Sequence, residues 1–261
     1  MGKATFDFNG KNVFVFGGTS GINLGIADAF AKAGARMGVA SRSQDKVDAA
    51  VARLSTPQRP ALGFSADVRQ PQAVADALAA FAQQCGSIDV LVSGAAGNFP
   101  AAAAGLSPNG FKTVVDIDLL GTFNVMRSAY SHLTRPGASI INISAPQAFI
   151  AMAMQVHVCA AKAGVDMVTK TLAIEWGPEG IRVNSVVPGP IDGTEGMARL
   201  APSEAARRAV ANSVPLRRMG TPADVGDACL FLGSDAARYV SGTVIAVDGG
   251  WAASGARVAM G

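Results

Sequence analysis

Four consecutive apolar residues, Val13 to Phe16, run into a cluster of glycines, and beyond it the apolar positions change period. A short unbroken apolar run has the pattern of a strand covered on both faces of a parallel sheet. After the glycines, Ile22, Ala27, Ala29, Phe30 and Ala33 recur at helical spacing as far as Gly34. The same alternation continues along the chain. The pattern predicts further strands over 36–40, 61–65, 88–92, 138–143, 181–187 and 243–247. Helices are predicted over 44–54, from about 71, over 109–133, from about 155 to 176, and over 223–232. Strands alternating with helices predict an α/β architecture. Between the strand over 181–187 and the helix over 223–232, 191–210 reads as a mobile, small-residue lid with helical content. No repeat and no dividing linker interrupts the chain, so residues 1–261 are read as one domain.

Composition narrows the class. Of the 261 residues, 49% are hydrophobic and 16% charged, which describes a core-rich globular chain rather than a disordered one. Lys and Arg number 22 against 19 Asp and Glu and are scattered, so no nucleic-acid surface is expected. Cys85, Cys159 and Cys229 match no metal spacing; reduced thiols, no metal and a cytoplasmic setting are the expectation. No apolar run approaches the roughly 20 residues of a membrane span. The opening MGKATFDFNGK does not read as a signal peptide, and the closing VAMG does not read as a peroxisomal address.

The candidate chemistry gathers where strands end. A strand, a glycine turn and a helix together place bare backbone N–H groups and a helix N-terminus where a pyrophosphate can approach. Gly17, Thr19, Ser20, Gly21 and Ile22 are the candidate contacts. The second strand ends at Ser41 and Arg42. An acidic residue there would accept from a ribose 2′-hydroxyl, whereas Arg with neighbouring hydroxyls suits a 2′-phosphate. NADP(H) is therefore the expected cofactor. After the third strand, Asp67 reaches an adenine amine or caps the next helix, and Val68 lies beside it. After the fourth, Ser93 to Gly97 are all small, so the backbone, Ala95 included, can lie against a ligand, and Asn98 and Phe99 follow. Asp116 and Asp118 sit two residues apart in VVDIDLLG; they cannot share a helix face, so one is expected outside and the other within. Pro188, Gly189 and Ile191 complete the cofactor set after the sixth strand.

The glycine turn, VNSVVPGPI and VDGG together resemble the short-chain dehydrogenase/reductase family over nearly the whole chain. The resemblance implies one Rossmann-type, doubly wound, mostly parallel seven-stranded sheet with helices on both faces. It also implies a Tyr and a Lys four residues apart, with a Ser and an Asn upstream. Carried over, only Lys162 matches. Val158 stands at the tyrosine position, Ala145 at the serine position and Asp118 at the asparagine position. Asn23 replaces the usual third glycine, and SGAAG replaces a motif with two asparagines. Valine moves no proton, so the usual carbonyl chemistry has no donor there.

AAGNF, FKTVVDIDLLGTFNV, QVH, AIEWGP, IRVNSVVPGPIDGTEG and PLRRMG resemble one branch that lacks the tyrosine, the peroxisomal-type 2,4-dienoyl-CoA reductases. The mitochondrial type uses another tyrosine, where this chain has Gln147. The resemblance implies NADPH-dependent reduction of a dienoyl-CoA thioester, with Asp118 and Lys162 as the catalytic pair and Lys162 also at the cofactor. Asn98, Phe99, His157, Gly189 and Met197 are the candidate substrate contacts. It further implies a homotetramer. Two other readings stay open: a reductase of another enone or a keto group, and an NADP(H)-binding regulator without catalysis, which Asn23 and SGAAG motivate.

Overall fold

The structure, a computed structural model, describes residues 5–254. The VAMG reading, and part of the reading of the chain start, lie outside them. Seven strands form one parallel sheet: β1 (Asn12–Phe16), β2 (Arg36–Ser41), β3 (Leu62–Ser65), β4 (Val90–Ser93), β5 (Ser139–Ile143), β6 (Arg182–Pro188) and β7 (Val244–Val247). Their order across the sheet is β3-β2-β1-β4-β5-β6-β7, every neighbouring pair parallel. The order reverses between β1 and β4, which leaves a crevice at their carboxyl ends.

The strands alternate between two cores, as a period of two requires. Val13 and Val15 of β1 pack on one face with Val90, Val92 and Ile141, against Ile26 and Phe30 of α1 (Gly21–Lys32) and Val225 of α9 (Pro222–Gly233). Phe14 and Phe16 pack on the other with Leu91 and Ile140, against Leu78 and Phe81 of α3 (Pro71–Cys85) and Val125 of α5 (Gly121–Ala129). Both faces of β1 are thus covered, which is why its sequence shows no polar alternation. The helix α2 (Gln44–Leu54) closes the β2–β3 edge.

Two elements depart from the expected pattern. The strand expected over 88–92 begins at Val90; before it, Ile88 forms an isolated bridge to Leu133, and Asp89 bonds Asn12 and Ser139 through its backbone while its carboxylate takes the Asn12 N–H at 2.9 Å and Lys11. The helix expected over 109–133 is three pieces: α4 (Pro108–Val114), one wide π-helical turn over Val115–Leu120, and α5, followed by a 3₁₀ turn. The expected lid contains two helices, α7 (Glu195–Leu200) and α8 (Glu204–Ser213). The helix α6 (Val156–Trp176) runs the length of the β5–β6 side. Among the described residues, no helix is long and apolar enough to cross a membrane.

Candidate active site

A cleft of about 900 Å³ opens over the carboxyl ends of the central strands. The glycine turn forms its floor. Gly17 has φ +74°, and a Cβ there would lie 2.9 Å from the Ala95 nitrogen, so the turn can rest on the β4 loop only as glycine. Gly21 opens α1 with φ +53°, and a Cβ there would meet only Thr194 across the cleft, at 3.8 Å. Ser20, the N-cap of α1, makes no side-chain cap bond. The first N–H groups of α1 therefore keep their donors for a ligand, at the positive end of the helix dipole. Asn23 turns away from these donors: its carboxamide nitrogen donates to the Gly94 carbonyl at 2.7 Å.

The end of β2 brings Ser41, Arg42, Ser43 and Lys46 to one side of the cleft. The Ser41 hydroxyl is buried without a hydrogen-bond partner. Two hydroxyls and two cations at one strand end form a donor set suited to a phosphate. Asp67 and Val68 line the adjoining wall. The Asp67 carboxylate is held by the Arg69 guanidinium, at 3.0 Å from Nε, which pulls its pKa below the usual carboxylate range. Gln70, not Asp67, occupies the N-cap of α3, so the capping alternative for Asp67 is not realised. Ala95 lies between these walls, with Pro188 and Gly189 opposite. A Cβ on Gly189 would sit 2.6 Å from the Asp248 Cα, so that backbone too must be bare.

The wide turn before α5 faces Asp118 inward. Asp118 is 1% exposed, while Asp116, two residues earlier, pairs with Lys112 at the surface. The inside-and-outside split expected of the two carboxylates is what the turn produces. A π-helical turn shifts the register of side chains around the axis, and such turns recur at functional sites. Asp118 Oδ1 accepts from the Gly97 N–H at 2.7 Å, and the Thr122 hydroxyl holds the Asp118 carbonyl at 2.6 Å. Lys162, 5% exposed on α6, donates to the Ile143 carbonyl at 3.0 Å and stands 3.3 Å from Asp118 Oδ2. That oxygen is close enough for an ion pair but lacks an aligned hydrogen bond. Both groups line the cleft, with Val158 beside them. A fixed carboxylate and an ammonium with donors to spare can hold a polar ligand atom and move a proton.

The family model described as Enoyl-(Acyl carrier protein) reductase matches residues 17–252. The chain belongs to the short-chain dehydrogenase/reductase family. It is 46% identical over 243 residues to the peroxisomal 2,4-dienoyl-CoA reductase [(3E)-enoyl-CoA-producing] of Rattus norvegicus, covering 92% of this chain and 83% of that one. It is 39% identical to the probable 2,4-dienoyl-CoA reductase [(2E)-enoyl-CoA-producing] of Bacillus subtilis, over 92% and 96% of the two chains. Among solved structures, a putative short-chain alcohol dehydrogenase from Sinorhizobium meliloti superposes with a TM-score of 0.89 at 31% identity, over 96% and 99% of the chains.

Membership of the short-chain dehydrogenase/reductase family implies a nicotinamide cofactor, and the floor of this cleft fits one. The bare turn at Gly17 and Gly21, the uncapped start of α1 and the partnerless Ser41 hydroxyl are the features a dinucleotide uses. Asn98 and Met197 also line the cleft. Three expected contacts stand outside its walls. Ile191 is 3% exposed, packed in the core under Gly220. His157 is fully buried, its Nε2 at 3.0 Å from the Phe99 carbonyl, and the Phe99 ring lies over it at 4.7 Å. A carbonyl only accepts, so Nε2 carries the hydrogen. The loop from Gly97 to Phe99 is thus pinned by Asp118 at one end and His157 at the other, with Asn98 between.

Other lining residues had no clear signal in the sequence. Lys46, from α2, and Trp251, after Gly249 and Gly250, both line the cleft. Gln147 and Gln155 bond each other at 2.7 Å on its wall, near Met152 and Leu200.

Proposed function

We propose that the protein is an NADPH-dependent 2,4-dienoyl-CoA reductase, acting in the degradation of unsaturated fatty acids. The observation that carries this reading is the buried Asp118–Lys162 pair on the cleft wall beside Val158, with no phenol at that position. The named activities of the relatives support it, and so does the donor set at Ser41, Arg42, Ser43 and Lys46, which favours NADPH over NADH.

The cofactor, when bound, supplies a hydride. At the far end of a conjugated system that hydride would push an electron pair toward the thioester oxygen, where the cleft wall would have to meet the charge. Lys162 adds positive charge on that side of the cleft and anchors the cofactor's ribose. Asn98, presented by its doubly pinned loop, is the candidate donor to the thioester oxygen. The neighbouring Gly97 N–H is already spent on Asp118. Asp118 Oδ2 would hold a water that gives a proton to the carbon next to the thioester; the hydroxide so formed would take a proton from the Lys162 ammonium, 3.3 Å from Oδ2, which solvent in the open cleft replaces, and the remaining double bond would lie between the third and fourth carbons. Met152, Met197 and Leu200 form an adaptable apolar wall for an acyl chain.

Purified protein should consume NADPH with 2,4-hexadienoyl-CoA and leave simple ketones untouched. Turnover of ketones without turnover of the dienoyl thioester would sink the reading. The alternative of a non-catalytic scaffold rested on Asn23 and SGAAG; the Asn23 carboxamide points to the Gly94 carbonyl within SGAAG, away from the N–H donors of the turn. We further propose a homotetramer, supported by the exposed apolar residues Phe111, Leu120, Phe123, Met167 and Ile174 on α4, α5 and α6 and the turn between them. A cytoplasmic placement is proposed on the three free cysteines.

A further inference from the structure

His157 is the second residue of α6 and is fully buried, yet the mechanism above gives it no task. Burying an imidazole costs free energy that an apolar ring at the same place would not, and a hydrogen bond offsets part of that cost. The Nδ1 of His157 is buried without a partner, so the bond at Nε2 must do so, and it goes to the Phe99 carbonyl at 3.0 Å. That bond joins the start of α6 to the loop after β4. The loop runs over 94–102 without helix or strand, and Asn98, Phe99 and Pro100 on it are exposed. Among the described residues, three bonds tie positions 97–101 to other elements. The Gly97 N–H donates to Asp118 Oδ1 at 2.7 Å, the Phe99 carbonyl accepts from His157, and the Ala101 N–H donates to the Met154 carbonyl at 2.9 Å. The Phe99 ring lies over the imidazole, centroids 4.7 Å apart, while Asn98 beside it lines the cleft. His157 thus grips the residue next to Asn98 without reaching the cleft itself.

A donor that meets developing negative charge must stand about 2.7–3.1 Å from the oxygen that carries it. A displacement of about 1 Å can cost on the order of a hundredfold in rate. An exposed side chain on an irregular loop does not keep such a place by itself. We propose that His157 is a positioning residue of the active site: its Nε2–H holds the Phe99 carbonyl and thereby fixes the Asn98 carboxamide where it meets the thioester oxygen. What Asn98 meets is taken from the dienoyl-thioester reading; the hold of His157 on its loop is not. The same geometry denies His157 the part of proton donor, since its Nε2 is occupied and its ring is sealed from solvent. A glutamine carries its amide nitrogen as many bonds from Cα as histidine carries Nε2, and it donates without titrating. A phenylalanine keeps a ring against Phe99 and loses the donor.

With 2,4-hexadienoyl-CoA, His157→Phe should lower kcat by about tenfold to a hundredfold. The KM for the thioester and the NADPH dissociation constant should stay within about twofold, as for a contact made only in the transition state. His157→Gln should recover most of the loss, which the replacement of a proton donor could not. In an Asn98→Ala background His157→Phe should cost no further rate, because it acts through that side chain. Losses that multiply in the double variant, or no recovery with Gln, overturn the proposal. The unliganded protein gives a second reading that needs no thioester. The Asn98 carboxamide, assigned in ¹⁵N spectra with Asn98→Ala, should give narrow signals in the wild type and in His157→Gln, and shifted, averaged ones in His157→Phe. Asn98 signals unmoved by His157→Phe overturn the proposal. Should both His157 variants fail to fold, the wild-type imidazole spectrum decides. The chain has 2 histidines, and His132→Gln assigns the other. A His157 Nε2 without a slowly exchanging hydrogen then overturns the proposal. Failure of the dienoyl assay while Asn98 still responds to His157 would instead count against the substrate reading only.

Discussion

The Asn23 carboxamide donates to the Gly94 carbonyl at 2.7 Å and fills the space that a Cβ on residue 94 would need. Such a Cβ would lie 2.3 Å from Asn23 Oδ1. The two departures from the family pattern, a side chain in the glycine turn and a glycine in the β4 loop, are therefore one coupled change. Each makes sense only with the other, and together they tie the cofactor floor to its neighbouring strand.

This coupling is open to a double-mutant cycle. Gly94→Ala should cost about 1–3 kcal/mol of stability, the range for overpacking a tight site. Asn23→Ala alone should cost about 1 kcal/mol for the lost hydrogen bond. The double variant should be more stable than Gly94→Ala. Additive losses in denaturant titrations would show that the two residues are independent.

Arg42→Asp should weaken NADPH far more than NADH. The variant removes a cation from the β2 end of the cleft and puts a carboxylate beside a 2′-phosphate. A charge-assisted contact is worth about 1.5–3 kcal/mol, so the NADPH dissociation constant should rise by at least tenfold. Fluorescence titration with both cofactors reads the difference. An equal effect on the two would mean that Arg42 does not reach the phosphate.

Asp224 closes a capping box with Thr221 at the start of α9 and is bound by the Arg218 guanidinium. The Arg218 hydrogen bond, with those of Thr221, holds its pKa far below the usual range. A depressed folded-state pKa contributes stability that is present above the unfolded value and lost as pH falls toward the folded one. Asp224→Asn should therefore cost about 1 kcal/mol at neutral pH, the usual worth of a cap. The deficit should shrink below about pH 4, where the unfolded aspartate protonates. A deficit independent of pH in thermal melts would show that charge plays no part in it.

The sheet was legible because its signal is simple. Buried parallel strands are apolar runs, and Val13 to Phe16 could hardly be anything else. The glycine turn was legible because it follows such a strand directly, and Asp118 and Lys162 because they stand at the positions where the family resemblance places a catalytic pair. The wide turn at Val115–Leu120 was not, since apolar spacing alone cannot tell a helix that gains a residue from one that does not. That turn decides which carboxylate faces inward. Trp251 and Lys46 reach the cleft from elements far apart in sequence, and only the assembled sheet brings them there. His157 shows the reverse: a motif residue next to Val158 that the helix turns into the core.

Small-angle scattering at micromolar concentration should report a particle four times the mass of the chain. Replacing Phe123 and Ile174, 41% and 78% exposed, with Glu should reduce it to smaller species. A monomer in the unmodified protein would contradict the assembly proposal and leave those apolar faces unexplained.

Asp118 carries the sharpest test of the catalytic assignment. Its Oδ1 is committed to the Gly97 N–H and its Oδ2 stands 3.3 Å from Lys162 without an aligned bond. One oxygen thus has a structural task, and the other is available for a water. Asp118→Asn is nearly isosteric and can keep the first task through its carbonyl oxygen, while its amide cannot relay a proton. It should lower turnover on a dienoyl thioester by about 10²- to 10⁴-fold, the range for a positioned acid–base group, with NADPH affinity nearly intact. Asp118→Ala should be as slow, and less stable, because the partly buried Gly97 N–H loses its acceptor. Val158→Tyr should rescue neither, since residue 158 packs against Val114 and Ala161 and the Asp118–Lys162 pair is set beside a small side chain there. Lys162→Ala should harm cofactor affinity and rate together. The separation is what stopped-flow kinetics and cofactor titration must show: rate alone for Asp118, both for Lys162. Near-normal turnover in Asp118→Asn would make Asp118 a loop anchor, and the proton donor would have to be sought elsewhere on the cleft wall.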